Sequence, residues 1–220
     1  MSGSVELSAL HLSLRRLLLP LLPLAVLAAV PLARGQVTKP IEANLDSDPP
    51  LERLVVTEVK TEALTQHNVQ LQDTCDGAPA SYELLSKPQD IIDRLRLVRA
   101  DGHHNPDILV VAVSGASGRV GVAELERYDG CTQPKVLFSY DSTNPRPRPP
   151  RHFAVAGFRV SVRNLTNRFR GREIRLVEGL AGRHDALCCP SRRRESRLRY
   201  DRARDRYVRY AVTTRRVPAG

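Results

Sequence analysis

Apolar and polar residues follow one another in short runs along this chain, and turn-forming residues separate the runs. Beyond residue 36, no segment keeps a helical spacing of apolar residues for more than two turns. Ten segments instead have the alternation or the β-branched content of strands: 54–59, 68–73, 94–98, 108–113, 120–128, 136–140, 153–162, 174–177, 197–200 and 207–213. Many short strands at short spacing predict an all-β fold of antiparallel strands.

Three of these strands are introduced by an acidic residue that precedes apolar ones. The acids are Glu52, Asp107 and Glu173, which are 55 and 66 residues apart. Self-similarity at this scale predicts a repeated unit, and its alternative is coincidence, since acids are common at loop ends. We expect two or three degenerate repeats, at about 44–98, 99–150 and 151–217. They would form propeller-blade-like sheets or a sandwich, and disulfides would stabilise them.

The first 35 residues have the pattern of a secretory signal peptide. Two arginines precede an apolar run at 17–33, and small residues lie one and three positions before Gln36. The alternative is an uncleaved membrane anchor, for which a run of this length is at the lower limit of about 17–25 residues. We expect cleavage after export by the Sec or the Tat route. Residues 36–220 would then form a single secreted or cell-surface domain.

Positive charge is concentrated at the C-terminal end. Residues 36–190 contain 20 basic and 20 acidic residues, whereas residues 191–220 contain 11 arginines and three acids. Only four of the 34 basic residues are lysines, a ratio that is also typical of GC-rich genomes. In an exported protein, the basic segment indicates an anionic cell-wall polymer or a membrane surface as partner. Nucleic acid is not expected.

The basic segment predicts a β-hairpin that has one apolar and one charged face. Leu198 and Tyr200 are two positions apart in the first strand and so share a face. The same spacing in the second strand holds for Val208, Tyr210 and Val212. The candidate anion-binding residues are Arg197, Arg199, Arg206 and Arg209. Each such charge contributes about 1 kcal/mol near an anionic surface before screening. A solvated face without a partner is the simpler alternative.

Oxygen-bearing side chains precede the first repeated strand at relative positions 1, 3, 5 and 9. They are Asn44, Asp46, Asp48 and Glu52. A tight loop with this spacing directs several oxygens toward one point, and Ca²⁺ takes six to eight oxygens at about 2.3–2.6 Å. The alternative is an acidic turn in which the aspartates bond the backbone.

This segment resembles the calcium loops of FG-GAP and VCBS repeats, the blades of integrin-α-type β-propellers. Those loops read Asp-x-Asp-Gly-Asp-Gly-x-x-Asp before a Val-rich strand. The resemblance implies calcium as the cofactor, with Asn44, Asp46, Asp48 and Glu52 as ligands. Ser47 and Pro49 replace the two loop glycines. The second copy keeps only Asp101, Gly102 and Asp107 of the pattern, so we expect at most one site.

The chain has four cysteines: Cys75, Cys131, Cys188 and Cys189. An even number in an exported protein predicts disulfides, and four cysteines allow three pairings. We favour Cys75–Cys131 together with a bridge between the two adjacent cysteines. Zinc is the competing interpretation, but no His/Cys spacing here is that of a zinc site.

The residues that follow Cys188 also carry a resemblance. Cys-Cys-Pro-Ser followed by two strands is similar to the C-terminal end of proteins exported by high-GC actinobacteria. Those proteins commonly continue with a strand, Trp-Asp-Gly and a Phe/Tyr-Val strand, and here Tyr200-Asp201 and Tyr207-Val208 take the matching places. The resemblance implies a secreted or surface-located protein of unassigned role.

A glycine-rich segment offers a competing function. The apolar strand 108–113 runs into three glycines between Gly115 and Gly121, and Asp141 follows 20 residues after the last. This pattern resembles the nucleotide-binding turn of Rossmann reductases and implies an enzyme with a dinucleotide site there. A glycine-rich hairpin turn explains the same residues without a cofactor. With no G-x-S-x-G elbow or other catalytic set, we expect a non-catalytic binding or structural protein rather than an enzyme.

Overall fold

Twelve strands form three four-stranded antiparallel sheets in the computed structural model of the chain. The structure describes residues 39–60, 64–100, 104–114, 120–164, 172–186 and 189–217. All of them belong to the unit Ala33–Gly220. Every regular element among them is a strand, which confirms the predicted all-β class. None of these residues belongs to a helix with the length and apolar character of a membrane span.

Each sheet is an up-and-down meander in which successive strands are hydrogen-bonded neighbours. Sheet 1 contains β1 (Ile41–Ala43), β2 (Glu52–Lys60), β3 (Thr65–Cys75) and β4 (Ala78–Glu83). Sheet 2 contains β5 (Ile91–Val98), β6 (Asp107–Ser114), β7 (Val120–Arg127) and β8 (Lys135–Asp141). Sheet 3 contains β9 (Phe153–Asn164), β10 (Arg172–Gly182), β11 (Arg192–Asp201) and β12 (Arg206–Arg216).

The three sheets are three copies of one four-stranded unit. The repeated acids lie at the beginning of the second strand of each copy: Glu52 in β2, Asp107 in β6 and Glu173 in β10. The sheets therefore span 41–83, 91–141 and 153–216. These limits differ from the predicted repeats chiefly at β5, which begins sheet 2 although the sequence pattern placed it at the end of the first repeat.

Sheet 2 lies between the other two sheets, and a hydrophobic cluster fills each interface. One face of sheet 2 packs on sheet 1 through Ile108 and Val110, which join Leu54, Val69 and Leu71 in the first cluster. The opposite face packs on sheet 3 through residues that include Leu109, Leu125, Ile174 and Leu176. Both faces of β6 are therefore buried, which explains why 108–113 is continuously apolar instead of alternating.

A buried ion pair within sheet 3 is connected to sheet 2 by a tyrosine hydroxyl. The Arg194 guanidinium donates to both carboxylate oxygens of Glu178, at 2.5 and 2.6 Å, and the two side chains are 3% and 1% exposed. The Tyr140 hydroxyl of β8 donates to the same carboxylate at 2.8 Å. Burial and the nearby Glu178 carboxylate raise the pKa of Tyr140, so this hydroxyl keeps its proton and stays a donor.

A second polar cluster ties the β11–β12 turn to sheet 2. Arg127 of β7 donates to Asp205 at 3.0 Å and to the Tyr200 hydroxyl at 2.8 Å. Lys135 of β8 also forms an ion pair with Asp205. Asp205 therefore receives two cations from sheet 2, which fixes the hairpin turn against that sheet.

Cys75 and Cys131 form a disulfide, as predicted, with their Cα atoms 5.5 Å apart. It joins the end of β3 in sheet 1 to the β7–β8 connection of sheet 2, across 56 residues of chain. Cys188 lies outside the described residues, so the bridge between the adjacent cysteines stays a prediction.

Replacing both Cys75 and Cys131 by serine is expected to lower the free energy of unfolding by about 4 kcal/mol. A crosslink that closes a loop of this length restricts the unfolded chain by about that much. Urea unfolding of the variant and of the oxidised protein measures the difference. A change below about 1 kcal/mol would show that the two sheets hold together without the crosslink.

Arg194→Met is expected to lower the free energy of unfolding by about 3–5 kcal/mol, because it leaves the Glu178 carboxylate buried without its cation. Arg216→Met is the matched control, since Arg216 is exposed on β12, and it should change stability by no more than about 0.5 kcal/mol. Adding Glu178→Met to the first variant should recover part of the loss. Equal effects of the two single substitutions, measured by urea unfolding, would contradict this role.

Candidate functional site

Three acidic side chains converge between the first two strands of sheet 1. Asp46 and Asp48 lie in the connection between β1 and β2, and Glu52 is the first residue of β2. One carboxylate oxygen from each lies within 4.8 Å of the other two. Oxygens that share one Ca²⁺ at about 2.3–2.6 Å can be at most about 5 Å apart. We call Asp46, Asp48 and Glu52 the acidic cluster.

The connection folds into a turn that its own polar side chains close. Asn44 Oδ1 accepts the backbone N–H of Ser47 at 2.5 Å, and Asn44 Nδ2 donates to the carbonyl of Asp48 at 3.1 Å. Asp46 Oδ1 accepts the N–H of Asp48 at 3.1 Å. Ser47 itself adopts a φ of 79° at a position where the calcium-loop pattern has glycine. Of the four predicted ligands, Asn44 thus uses its side-chain amide to close the turn, and the other three are the acids of the cluster.

Glu52 is the buried member of the acidic cluster. Its side chain is fully buried, and Oε2 accepts the backbone N–H of Leu45. Its other oxygen, Oε1, is buried and has no hydrogen-bond partner. Burial raises the pKa of Glu52 to about 7; the Leu45 N–H lowers it in part, and the charges of Asp46, Asp73 and Asp48 raise it further. This carboxyl group therefore changes between its protonated and its ionised form near neutral pH.

Asp73 of β3 is a fourth acid beside the cluster, and the sequence reasoning missed it. Its charge raises the pKa of both Glu52 and Asp46, and its carboxylate accepts the Tyr128 hydroxyl. Asp73 lies 21 residues after Glu52, so no loop motif contains both. Only the pairing of β2 with β3 and the packing of sheet 2 against them bring these groups together.

The turn after β7 closes the other side of the site. A Cβ at Gly130 would lie 3.0 Å from the Asp46 carboxylate, so the Gly130 backbone and the acid are in close contact. Gly130 has a φ of 84°, which favours glycine, and it precedes the disulfide-bonded Cys131. The disulfide thus fixes the turn that packs on Asp46.

No lysine or arginine among the described residues forms an ion pair with Asp46, Asp48, Glu52 or Asp73. Burial, followed by its interaction with Asp48, raises the pKa of Asp46. Asp73 also lies near Cys75 and Cys131, but both sulfur atoms are used in the disulfide and offer no metal ligand. The acids around Glu52 therefore repel one another without a compensating cation from the residues that the structure describes.

The predicted anion-binding arginines are divided between two surfaces. Arg197 and Arg199 are exposed on the face of sheet 3 that points away from sheet 2. Arg206 lies on the same face next to the turn, opposite Asp201 in the strand register. Arg209 instead lies opposite Leu198 on the inner face. Burial lowers the pKa of Arg209, and its Nε is buried without a hydrogen-bond partner.

The predicted apolar face of the hairpin is also different in the structure. The β11–β12 register shifts between Arg197 and Leu198, and the shift exchanges the two faces of β12 along its length. Tyr207 is buried, whereas Tyr210 and Val212 are each 46% exposed. The alternation in β12 therefore did not identify the buried side chains.

The glycine-rich segment joins two antiparallel strands. β6 and β7 are paired as far as Ser114 and Val120, so the chain turns back on itself instead of entering a helix. Residues 115–119 lie outside the described residues. A Cβ at Gly121 would collide with the carbonyl oxygen of Ala112, so Gly121 permits close strand pairing. The strand–turn–helix geometry that the dinucleotide hypothesis requires is not formed by β6 and β7.

Comparison of the chain with protein-family models, with curated proteins and with solved structures gave no significant match.

Proposed function

We propose that this chain is an exported, non-catalytic binding or structural protein of the cell surface, and that its acidic cluster binds one Ca²⁺. The observation that carries the proposal is the convergence of three carboxylates around the buried, unpartnered Oε1 of Glu52. A buried carboxylate oxygen without a partner is costly unless a cation or a proton accompanies it.

The donor set suits calcium in kind. Asp46, Asp48 and Glu52 supply hard anionic oxygens, and backbone carbonyls and water would complete the six to eight ligands. When bound, calcium supplies positive charge, which the described residues do not provide at this place. The residues of the chain hold the ion and join sheet 1 to the Gly130 turn, so the bound ion stabilises the stacked sheets.

The proposed location fits this chemistry. The signal-peptide pattern at residues 1–35 and the Cys75–Cys131 disulfide both favour an oxidising compartment. Calcium sites of extracellular modules have dissociation constants of about 10⁻⁴–10⁻³ M. A site with only three carboxylates would therefore be occupied outside the cell.

Calcium at about 100 times its dissociation constant is expected to stabilise the oxidised protein by about 2.7 kcal/mol, compared with the protein in EDTA. For a chain of this size the melting temperature should rise by about 5–10 °C. Asp46→Asn with Asp48→Asn should abolish the rise. The control is Glu42→Gln with Glu58→Gln, which removes two exposed carboxylates from sheet 1 and should keep it. A melting temperature of the unsubstituted protein that calcium leaves unchanged would reject the site.

Glu52 should make the free energy of unfolding in EDTA fall as the pH rises from about 4.5 to about 7. The folded protein keeps the Glu52 proton up to a pKa of about 7, whereas the unfolded chain releases it near 4.5. The contribution is on the order of 3 kcal/mol, and Glu52→Gln should remove it.

Urea unfolding of the unsubstituted protein and of Glu52→Gln over this pH range measures the difference between them. Burial also raises the pKa of Glu126, to about 9, so the free energy of unfolding falls with pH through Glu126 as well. The contribution of Glu52 is therefore obtained as the difference between the two proteins. Calcium stabilisation should grow over the same range, since the ion binds the ionised Glu52. Identical pH dependence of the two proteins would contradict the assignment.

A further inference from the structure

The outer face of sheet 3, which points away from sheet 2, carries a large excess of arginine. Residues paired across antiparallel strands share a face, so the register assigns every paired residue to a face. On this face β9 contributes two arginines, β10 one, β11 three and β12 two, against three acidic residues in all. The inner face, by contrast, holds apolar side chains such as Val160 and Leu176.

Arginines lie directly opposite each other at two places on this face. Arg193 of β11 is paired with Arg215 of β12, and Arg175 of β10 is paired with Arg197 of β11. Side chains in such positions begin only about 5 Å apart, and like charges there are destabilising.

Glu195 compensates one of these pairs. It forms ion pairs with both Arg175 and Arg197, the latter at 3.1 Å. In the described part of the chain, neither Arg193 nor Arg215 has an ion-pair partner. Both side chains are exposed. The Arg193–Arg215 pair is therefore a site of repulsion that an external anion would relieve.

The two pairs line one groove of about 210 Å³. Its walls are Arg175, Arg193, Glu195, Arg197, Thr213 and Arg215. A phosphate group suits this lining, because its oxygens accept several guanidinium hydrogen bonds at once and its charge opposes two cations. Arg193 and Arg197 are four residues apart on β11, so the pairs lie about 13 Å from each other along the strand. One phosphate reaches one pair, and a chain of phosphates reaches both.

We propose that this groove, with the arginine face around it, binds a linear polymer that carries repeated phosphate groups. Guanidinium pairs spaced along a groove match an extended chain of anions better than a single small ion. A lipid surface is disfavoured, since Val177, Val208 and Tyr210 are the main apolar side chains that this face offers for insertion.

This inference goes beyond the calcium site and does not depend on it. The acidic cluster belongs to sheet 1 and the groove to sheet 3, on the far side of sheet 2. Binding measured in EDTA tests the groove alone, whereas the calcium melt tests the acidic cluster alone. Either proposal can fail without the other.

The test measures binding of long-chain polyphosphate to the full oxidised protein in EDTA by fluorescence polarisation. Arg193→Gln with Arg215→Gln should weaken binding about 30-fold, or about fivefold for each charge removed. The slope of log Kd against log salt concentration should also decrease. The variant should melt no lower than the unsubstituted protein, because it removes a repulsive pair, so a folding defect does not confuse the result.

The matched control is Arg53→Gln with Arg96→Gln, which removes the same charge from exposed positions of sheets 1 and 2. It should change the affinity by no more than about twofold. Inorganic phosphate should compete only weakly, and vesicles of phosphatidylglycerol should bind less tightly than the polymer. The proposal is overturned if polyphosphate does not bind, if both variants lose affinity equally, or if the vesicles bind and the polymer does not.

Discussion

A buried carboxylate at the start of the second strand holds each of the first two sheets to the loop that precedes it. Glu52 accepts the backbone N–H of Leu45, and Asp107 accepts the N–H of Ala100 at 2.8 Å. In both cases the donor is seven residues before the acid, and donor and acceptor residues are fully buried. A buried backbone N–H that leaves a strand needs an acceptor, and the carboxyl oxygen supplies one. The Tyr207 hydroxyl binds the carbonyl of the same Ala100, which extends this anchor into sheet 3.

Much of the fold follows from local patterns, and what does not follow depends on stacking. Alternation and β-branched runs predicted most of the strands, and the acid-strand echo predicted a repeated unit. The sequence pattern did not predict β4, because Ala78–Glu83 contains Pro79 and is largely exposed at a sheet edge, where few apolar residues are needed. The predicted repeat boundaries differ from the sheet boundaries because the repeated acid marks the second strand of each sheet, not the first. Nothing in the sequence of β5 shows whether this strand ends one sheet or begins the next.

The candidate site was predictable only in its local part. The spacing of Asp46, Asp48 and Glu52 marked an acidic turn, but the burial of Glu52 and the approach of Asp73 result from the pairing of β2 with β3. The arginine surface shows the same limit. A single register shift in β12 turns Arg209 inward and exposes Tyr210, and strand parity read from sequence carries no sign of such a shift. The opposition of Arg193 and Arg215 likewise requires the register.

The stacking also explains why the two unbalanced charge clusters of this chain do not neutralise each other. The acidic cluster is at sheet 1, the arginine face is beyond sheet 3, and sheet 2 separates them. Stacked sheets lie about 10 Å apart, so the clusters are separated by more than the screening length of about 8 Å at physiological salt. Attraction across that distance is largely screened, and neither cluster gains a partner from the other. In the described part of the chain, the acidic cluster and the Arg193–Arg215 pair therefore each stay without an ion-pair partner of opposite charge.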